Sequence, residues 1–152
     1  MGNMNRINLG AGNTILKDWF NHDIIKHRSE IDFAFDLNLP EWPLKSDSYD
    51  IVRAWDVIEH LENPLHFVNN CWKLLKTNGM LDIKACGWQN RNFWVDITHR
   101  KGFDIKSFNY FVPSTKEGKH SNFYTDKQWN YIKGYPRYDK VKNVYVKMIP
   151  IK

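Results

Sequence analysis

A short apolar segment runs directly into a tight glycine turn near the start of the chain. Arg6-Ile7-Asn8-Leu9 is followed by Gly10-Ala11-Gly12. Glycine permits a sharp turn and lets a ligand approach the backbone closely. Three acids then follow, each at the end of its own apolar stretch: Asp23, Asp36 and Asp56. Because the carboxyl ends of parallel strands meet at one edge of a sheet, we expect the turn and the acids to surround one ligand.

The residue types in this pattern indicate a nucleoside site. Carboxylates accept hydrogen bonds from ribose hydroxyls and from an exocyclic amine. A dinucleotide fold needs a third glycine where this chain has Ile15. It also needs a helix N-terminus behind the turn to hold pyrophosphate, and Lys17-Asp18-Trp19 leaves little room for one. S-adenosylmethionine, which has no phosphates, therefore fits this pattern better than NAD.

Composition limits the class of protein. A chain of 152 residues predicts one domain, spanning residues 1–152. We expect no membrane span and no signal peptide, because no apolar run is long enough. Cys71 and Cys86 have neither metal-ligand spacing nor a disulfide framework, which indicates a reduced, cytoplasmic protein. The net charge of +5 suits an anionic partner, although the basic residues are spread as on an ordinary solvated surface.

Short apolar strands that alternate with helical or loop segments predict an α/β sheet. One helix begins at Asn63-Pro64, a cap followed by proline in the first turn, and ends at Asn78-Gly79. A second, short helix is expected from Asp104 to Phe111. The predicted strands are 5–10, 20–24, 31–37, 49–55 and 80–86, with 143–149 closing the sheet beside a strand within 129–138.

The links between the first three strands are short. Residues 11–19 and 25–30 fall below the dozen or more residues that a parallel crossover usually needs, so the helices after strands 1 and 2 should be reduced. This would uncover apolar residues of the third strand: Ile31, Phe33, Phe35 and Leu37. We expect a cover for them, which is a second copy of the chain, a partner, or the aromatic loops around Trp42 and Trp88. A homodimer is favoured because symmetric pairs are the commonest oligomers.

These segments resemble class I S-adenosylmethionine-dependent methyltransferases. Residues 8–12 resemble the first motif of that family. Residues 48–61 resemble the fourth-strand motif of its type 11 group, and residues 74–81 resemble the helix, glycine turn and strand that follow. A further likeness lies in Asp96-Ile97-Thr98-His99. The resemblance covers roughly residues 5–111 and implies a Rossmann-like sheet, mostly parallel, with an antiparallel closing strand.

The resemblance also implies S-adenosylmethionine as cofactor and assigns residues to it. The glycine turn would lie against the methionine end, Asp23 would hold the ribose hydroxyls, Asp36 would sit beside the adenine, and Asp56 would close the site below the sulfonium. The chain departs from the family in Asn8, where an acid is usual, and in the short spacing before Asp23. The predicted cofactor-binding set is Asn8, Gly10, Ala11, Gly12, Asp23, Asp36, Leu37 and Asp56.

His99 is the predicted catalytic residue, because imidazole titrates near neutrality and can take a proton from a hydroxyl. The alternative is a histidine that fixes its loop. Asp56, Glu59 and His60 would share one helix face and resemble an E-x-x-E-H metal motif of some relatives. The prediction here is no metal, with Glu59 and His60 holding a loop by hydrogen bonds.

These inferences predict a small methyltransferase that uses S-adenosylmethionine to methylate an oxygen, of hydroxyl type, on a small molecule, sugar or lipid. The chain has no Asn/Asp-Pro-Pro-Tyr motif, which disfavours an exocyclic base nitrogen or an amide as acceptor. Two alternatives stay open. Asn8 and the shortened first half favour an inactive methyltransferase-like binding module. The basic pI of about 9.1 and the seven tryptophans favour an RNA methyltransferase.

Overall fold

The computed structural model describes residues 4–152, whose strands form one mixed sheet. The strand order is β3-β2-β1-β4-β5-β8-β6, and β7 also pairs with β8. Strands β1 to β5 are parallel, and β8 runs antiparallel to β5, β6 and β7. The predicted fold class is therefore confirmed. The strands are β1 Arg6–Leu9, β2 Phe20–Asp23, β3 Phe33–Ala34, β4 Tyr49–Trp55, β5 Leu75–Ala85, β6 Gln128–Tyr131, β7 Arg137–Tyr138 and β8 Val144–Ile151.

Helices are few in the described part of the chain. Helix α1 spans Pro64–Leu74 and begins as predicted, with the side chain of Asn63 accepting a hydrogen bond from a first-turn amide. It ends before the predicted glycine turn, because Leu75 already pairs with β4. Helix α2 is the short segment Arg91–Val95, and short 3₁₀ helices lie at Ile58–His60, Asn109–Phe111 and Gly118–Phe123. No helix in residues 4–152 has the length and apolar composition needed to cross a membrane.

The first two crossovers carry only turns and bends, as their short lengths predicted. The chain after β1 folds back onto β2 instead: the amide of Ala11 donates to the carbonyl of His22 at 2.8 Å. Strand β3 is shorter than the predicted 31–37, because the chain turns at Asp36, whose carboxylate accepts the amide of Asn38 at 2.8 Å. The segment from Asp104 is likewise a series of turns that ends in a short 3₁₀ helix rather than an α-helix.

The two faces of the sheet differ in burial. On the covered face, alternate residues are fully buried beneath α1, whose Phe67, Val68 and Cys71 point into the same core. The covered face is formed by Ile7, Leu9, Val52, Ala54, Leu81, Ile83, Val146 and Met148. On the opposite side, the intervening residues of β4 and β8 are only half-buried. We call this side the open face.

Most of the apolar residues predicted to need a cover are covered by the chain itself. Ile31, Phe35 and Leu37 are buried. The ring of Trp42 lies 6.1 Å from that of Phe35 and 5.5 Å from that of Phe67, measured between centroids, so it joins this region to α1. This is one of the three covers predicted above. The homodimer stays a prediction.

Candidate functional site

A cavity of about 380 Å³ opens at the carboxyl edge of β1, β2 and β4. We call it the edge cavity. It brings together residues that the sequence places far apart, because each follows the end of its own parallel strand. Six of the eight predicted cofactor-binding residues line it: Gly10, Gly12, Asp23, Asp36, Leu37 and Asp56. His22, Ile24, Phe35, Asn38, Val57, His60 and Leu61 complete the wall.

The two glycines of the turn have different reasons to be glycine. Gly10 has φ +63°, and a Cβ there would lie 2.4 Å from Cγ2 of Val57, so no other residue fits without displacement. Gly12 has φ +52°, and a Cβ would have open space around it. Gly12 therefore exposes its backbone to the cavity, which is the arrangement expected where a ligand approaches the main chain.

The carboxylate of Asp23 ties the glycine turn to β2. One oxygen accepts the amide of Gly12 and the other accepts the amide of Ile24, each at 2.7 Å. Because each carboxylate oxygen has two lone pairs, both can still accept a hydroxyl from a ligand. Asp23 thus shapes the turn and lines the cavity.

Two members of the predicted cofactor-binding set do not line the edge cavity. Asn8 is 2% exposed and lies toward the open face, where its oxygen accepts Arg53 at 2.9 Å. Its amide nitrogen donates to the carbonyl of Thr14 at 2.9 Å and to the oxygen of Asn21 at 3.2 Å. Asn8 therefore supports the glycine turn through hydrogen bonds on the side away from the edge cavity. Ala11 is buried in the turn and holds it to β2 through its amide.

His22 is a site residue that the sequence interpretation missed. It is 1% exposed, its Nδ1 accepts the amide of Gly10 at 3.3 Å, and its Nε2 donates to the carbonyl of Phe35 at 2.9 Å. Burial lowers its pKa, against the opposing effects of the Phe35 carbonyl and of Asp23. A neutral imidazole with its proton on Nε2 satisfies both hydrogen bonds. A histidine in a short strand gives no sequence signal for this role.

A second cavity, of about 440 Å³, adjoins the first. We call it the polar cavity. Asp56 and His60 line both cavities, so they form a shared wall. The predicted catalytic residue, His99, lies in the polar cavity. The remaining lining is Glu59, Lys84, Cys86, Asn92, Val95, Asp96 and Asn143.

Asp56 directly follows β4 and has a left-handed conformation, with φ 56°. A non-glycine residue in this region is uncommon, and such strain concentrates at functional sites. Its carboxylate accepts Nζ of Lys84 at 2.7 Å. Burial alone would lower the pKa of Lys84, but the hydrogen bond and charge of Asp56 raise it. The shared wall therefore holds a charged pair.

A hydroxyl fixes the tautomer of His60. Oγ1 of Thr98 donates to Oδ1 of Asp96 at 2.6 Å and lies 3.0 Å from Nδ1 of His60. A hydroxyl has one proton, and the shorter contact to the carboxylate takes it. The hydroxyl oxygen must therefore accept the proton of His60 Nδ1. This leaves the lone pair of His60 on Nε2, where it can accept a proton or bind a cation.

His99 packs against His60, with ring centroids 4.7 Å apart. Its Nε2 lies 3.6 Å from a carboxylate oxygen of Asp96, and its side chain is 8% exposed. Burial, and then the charge that His60 can carry, lower the pKa of His99, while Asp96 acts in the opposite direction. His99 is therefore a neutral imidazole at neutral pH, the form that can take a proton.

In the described chain, Glu59 does not converge with Asp56 and His60 on a common point, although all three line the polar cavity. Glu59 is 1% exposed, its Oε1 accepts the amide of Cys86 at 2.9 Å, and its carbonyl accepts the amide of Arg100 at 2.8 Å. Burial raises its pKa. These contacts fix the loop that carries Glu59. A different trio converges instead: potential ligand atoms of His60, Asp96 and His99 all lie within 4.8 Å of one another.

Comparison with known proteins shows which family part of the chain resembles and which structures share its fold. The sequence profile of the methyltransferase domain family matches residues 22–83. No curated protein sequence matches the chain. Solved structures that share the fold include a chain from the complex between the Haloferax volcanii Trm112 methyltransferase activator and a methyltransferase. Its TM-score is 0.67 at 11% identity, over 99% of this chain and 84% of that one.

Two further structures are S-adenosylmethionine-dependent methyltransferases. The protein from Archaeoglobus fulgidus has a TM-score of 0.66 at 12% identity, over 99% of this chain and 87% of that chain. The protein from Thermotoga maritima has a TM-score of 0.65 at 14% identity, over 98% and 83%. Residues 22–83 match the methyltransferase domain family, and the chain has the fold of these S-adenosylmethionine-dependent methyltransferases, so the predicted resemblance is confirmed.

Proposed function

We propose that the chain transfers a methyl group from S-adenosylmethionine to a hydroxyl of a polar acceptor held in the polar cavity. One observation carries this proposal: Asp56 and His60 line both cavities. Methyl transfer needs the two reactants in contact and in line, and holding them so supplies much of the rate. Two cavities that border the same two residues lie side by side, and each can hold one of the two reactants.

The residues of the edge cavity suit the cofactor. The open backbone at Gly12 fits a cradle for the methionine end, the carboxylate of Asp23 can accept ribose hydroxyls, and Asp36 with Leu37 offers a carboxylate and an apolar surface to the adenine. When bound, S-adenosylmethionine supplies a methyl group already activated by its sulfonium. The protein therefore has to bind, align and remove one proton.

The polar cavity favours a hydroxyl-rich acceptor. Most of its lining can donate or accept hydrogen bonds, and Val95 is its only aliphatic residue among those described. A sugar-like group matches such a lining better than a lipid chain does. The acceptor proton would go to an imidazole of the His60–His99 pair. His60 borders both cavities with the lone pair of its Nε2 available, and the largely buried side chain of His99 has a lowered pKa.

The first test is methyl transfer from tritiated S-adenosylmethionine to sugar, lipid and RNA fractions. We expect turnover with a polar, hydroxyl-bearing fraction. His60→Ala or His99→Ala should lower turnover by about a hundredfold or more, the usual contribution of a general base. His120→Ala, which removes an exposed histidine, is the control. Calorimetry on His99→Ala should show unchanged affinity for S-adenosylhomocysteine.

Three results would change the proposal. Full turnover in both histidine variants would remove the general base. Loss of turnover with a chelator, restored by a divalent ion, would make His60, Asp96 and His99 metal ligands rather than a proton acceptor and its supports. Cofactor binding without turnover on any fraction would favour the inactive binding module.

A further inference from the structure

The open face carries cations and aromatic rings where α/β sheets normally carry helices. In register across β4, β5 and β8, the residues that point to this side are charged or aromatic towards the carboxyl ends of β4 and β5, and apolar at Ile51, Met80 and Ile149. Arg6 and Arg53 lie on neighbouring strands, since Arg6 pairs with Ile51 in the same sheet. The residues that carry the inference are Arg6, Arg53, Trp55, Tyr145, Lys147 and, from β7 beside Tyr145, Arg137.

These side chains form stacked pairs. The guanidinium of Arg53 lies 4.1 Å from the ring centroid of Trp55, and Trp55 meets Tyr145 edge-on at 5.7 Å between centroids. The guanidinium of Arg137 lies 5.5 Å from the ring of Tyr145. Two aromatic rings, flanked by a guanidinium group on each side, therefore form a line that crosses the strands. Such pairs hold planar groups in fixed positions at the surface.

Cations outnumber acids on this face. Among the described residues, Asp82 is the acid on this face. Its carboxylate already accepts a hydrogen bond from Nε1 of Trp55 at 3.3 Å and pairs with Nζ of Lys147 at 3.9 Å. At the far end, the guanidinium of Arg6 lies 5.3 Å from the ring of Trp19. Within residues 4–152, Nε of Arg6 is buried without a hydrogen-bond partner. The face therefore has positive charge to offer an anion.

The open face runs into the polar cavity. Lys84 is the neighbour of Trp55 on β4 and of Tyr145 on β8. It also lines the polar cavity, where it pairs with Asp56. A chain-like ligand on the open face therefore leads from the aromatic line to the place where the acceptor hydroxyl is expected.

We propose that the open face binds single-stranded RNA, with phosphates on the cations and bases stacked on the aromatic and guanidinium planes. Proteins bind single strands in this way, by basic grooves combined with stacking surfaces. A second copy of the chain is a poor occupant, because two cationic faces would repel each other. The choice of RNA over DNA rests on the proposed function, since the ribose of RNA brings the hydroxyl that DNA lacks.

The test is fluorescence anisotropy with a labelled oligouridine and the full chain. Arg137→Gln combined with Lys147→Gln should weaken binding by about tenfold and lower the salt slope by about 0.7 for each lost phosphate contact. Lys116→Gln combined with Lys119→Gln changes the net charge equally on an exposed segment outside the sheet, and should leave affinity and slope unchanged. Circular dichroism checks that both double variants fold.

Two variants that leave the net charge unchanged test the stacking of bases on the aromatic rings. Trp55→Ala should weaken binding by about fivefold or more, the scale of one stacked base. Phe123→Ala removes an exposed ring away from the open face and should have no effect. Equal losses of affinity in the Arg137/Lys147 double variant and in the Lys116/Lys119 double variant would overturn the proposal. A preference for duplex RNA over the single strand would also overturn it. The proposal would also be overturned if the chain did not bind RNA but formed a dimer, and if the open-face variants dissociated that dimer.

Failure here and failure of the proposed function give different results. Binding is measured without cofactor or turnover, so an inactive chain that binds RNA keeps this inference. If deoxyuridine oligomers bound as tightly as RNA, the open face would still be a binding surface for single strands. RNA would no longer be its specific ligand. Methylation of a free sugar without RNA binding would keep the proposed function and remove the inference.

Discussion

The two faces of the sheet are made by the same strands and are stabilised in different ways. Along β8, Val144, Val146 and Met148 are fully buried, whereas Tyr145 and Lys147 between them are half-buried. The covered face is held by apolar contact with α1 and the loop around Trp42. The open face is held by side chains that pack on one another. A parallel sheet can thus keep one face without helices if its residues cover each other.

The composition of the open face makes this arrangement tolerable. Arginine and lysine lay their aliphatic stems along a surface and keep their charges in water. Stacking Arg53 on Trp55 hides part of the indole while leaving the face polar. Helices would be needed over an apolar face, since monomers rarely expose large apolar patches. The charged open face therefore needs no helices to cover it, which is consistent with the short crossovers after β1 and β2.

The largest expected difference between the two faces is in stability. Phe67→Ala removes a fully buried ring that contacts Trp42, and should lower the free energy of unfolding by about 3–5 kcal/mol. Tyr145→Ala removes a ring of similar size from the open face, and should cost about 1 kcal/mol or less. Urea unfolding followed by fluorescence measures both.

Phe67→Leu serves if the alanine variant does not fold, and it should still lose more than Tyr145→Ala. Equal losses for Phe67 and Tyr145 would mean that the open face is as well packed as the covered one. The side chains would then form a second core, and the description of an open face would be wrong.

Most of the fold could be predicted from the sequence, because it depends on local signals. The cap at Asn63-Pro64 and the glycine turn each specify their structure within a few residues. The extent of β3 could not be predicted, since a side chain of Asp36 closes a turn that periodicity does not reveal.

Which residues lie together at the candidate site could be predicted where strand ends decide it, but not where long-range contacts decide it. The acids that follow β2, β3 and β4 meet at one edge because parallel strands must end there. Asn8 follows the same rule in sequence, but its side chain points to the other face and meets Arg53. The roles of His22 and Thr98 depend on partners that only the folded chain supplies.

An effect of intermediate size is expected at the edge cavity, which lies at the end of the covered face. Asp23→Ala removes a charged acceptor for ribose hydroxyls and should weaken S-adenosylhomocysteine binding by about 1.5–3 kcal/mol. Asp23→Asn keeps one acceptor and should fall between the alanine variant and the wild type. Lys147→Ala, on the open face, is the control and should bind normally. Calorimetry gives all four affinities. Unchanged binding in Asp23→Ala would remove this carboxylate from the cofactor site.

The smallest effect concerns pH and again separates the faces. His22 is buried on the covered side, and burial lowers its pKa below the ordinary value of 6.5. Below pH 6.5, His22 therefore binds a proton in the unfolded chain more readily than in the folded chain. The stability is full above pH 6.5 and falls as the pH drops, by at most about 1.4 kcal/mol per pH unit for one proton. Urea unfolding at a series of pH values measures this loss.

His22→Gln lowers stability at every pH, because it breaks the bridge between Gly10 and Phe35, so only the pH dependence is informative. We expect that dependence to be shallower below pH 6.5 than in the wild type. His120→Gln, at an exposed position, should leave it unchanged. If His22→Gln and the wild type lose stability in parallel, another group causes the acid sensitivity. The neutral imidazole would then be a consequence of the fold at Gly10 rather than a condition for it.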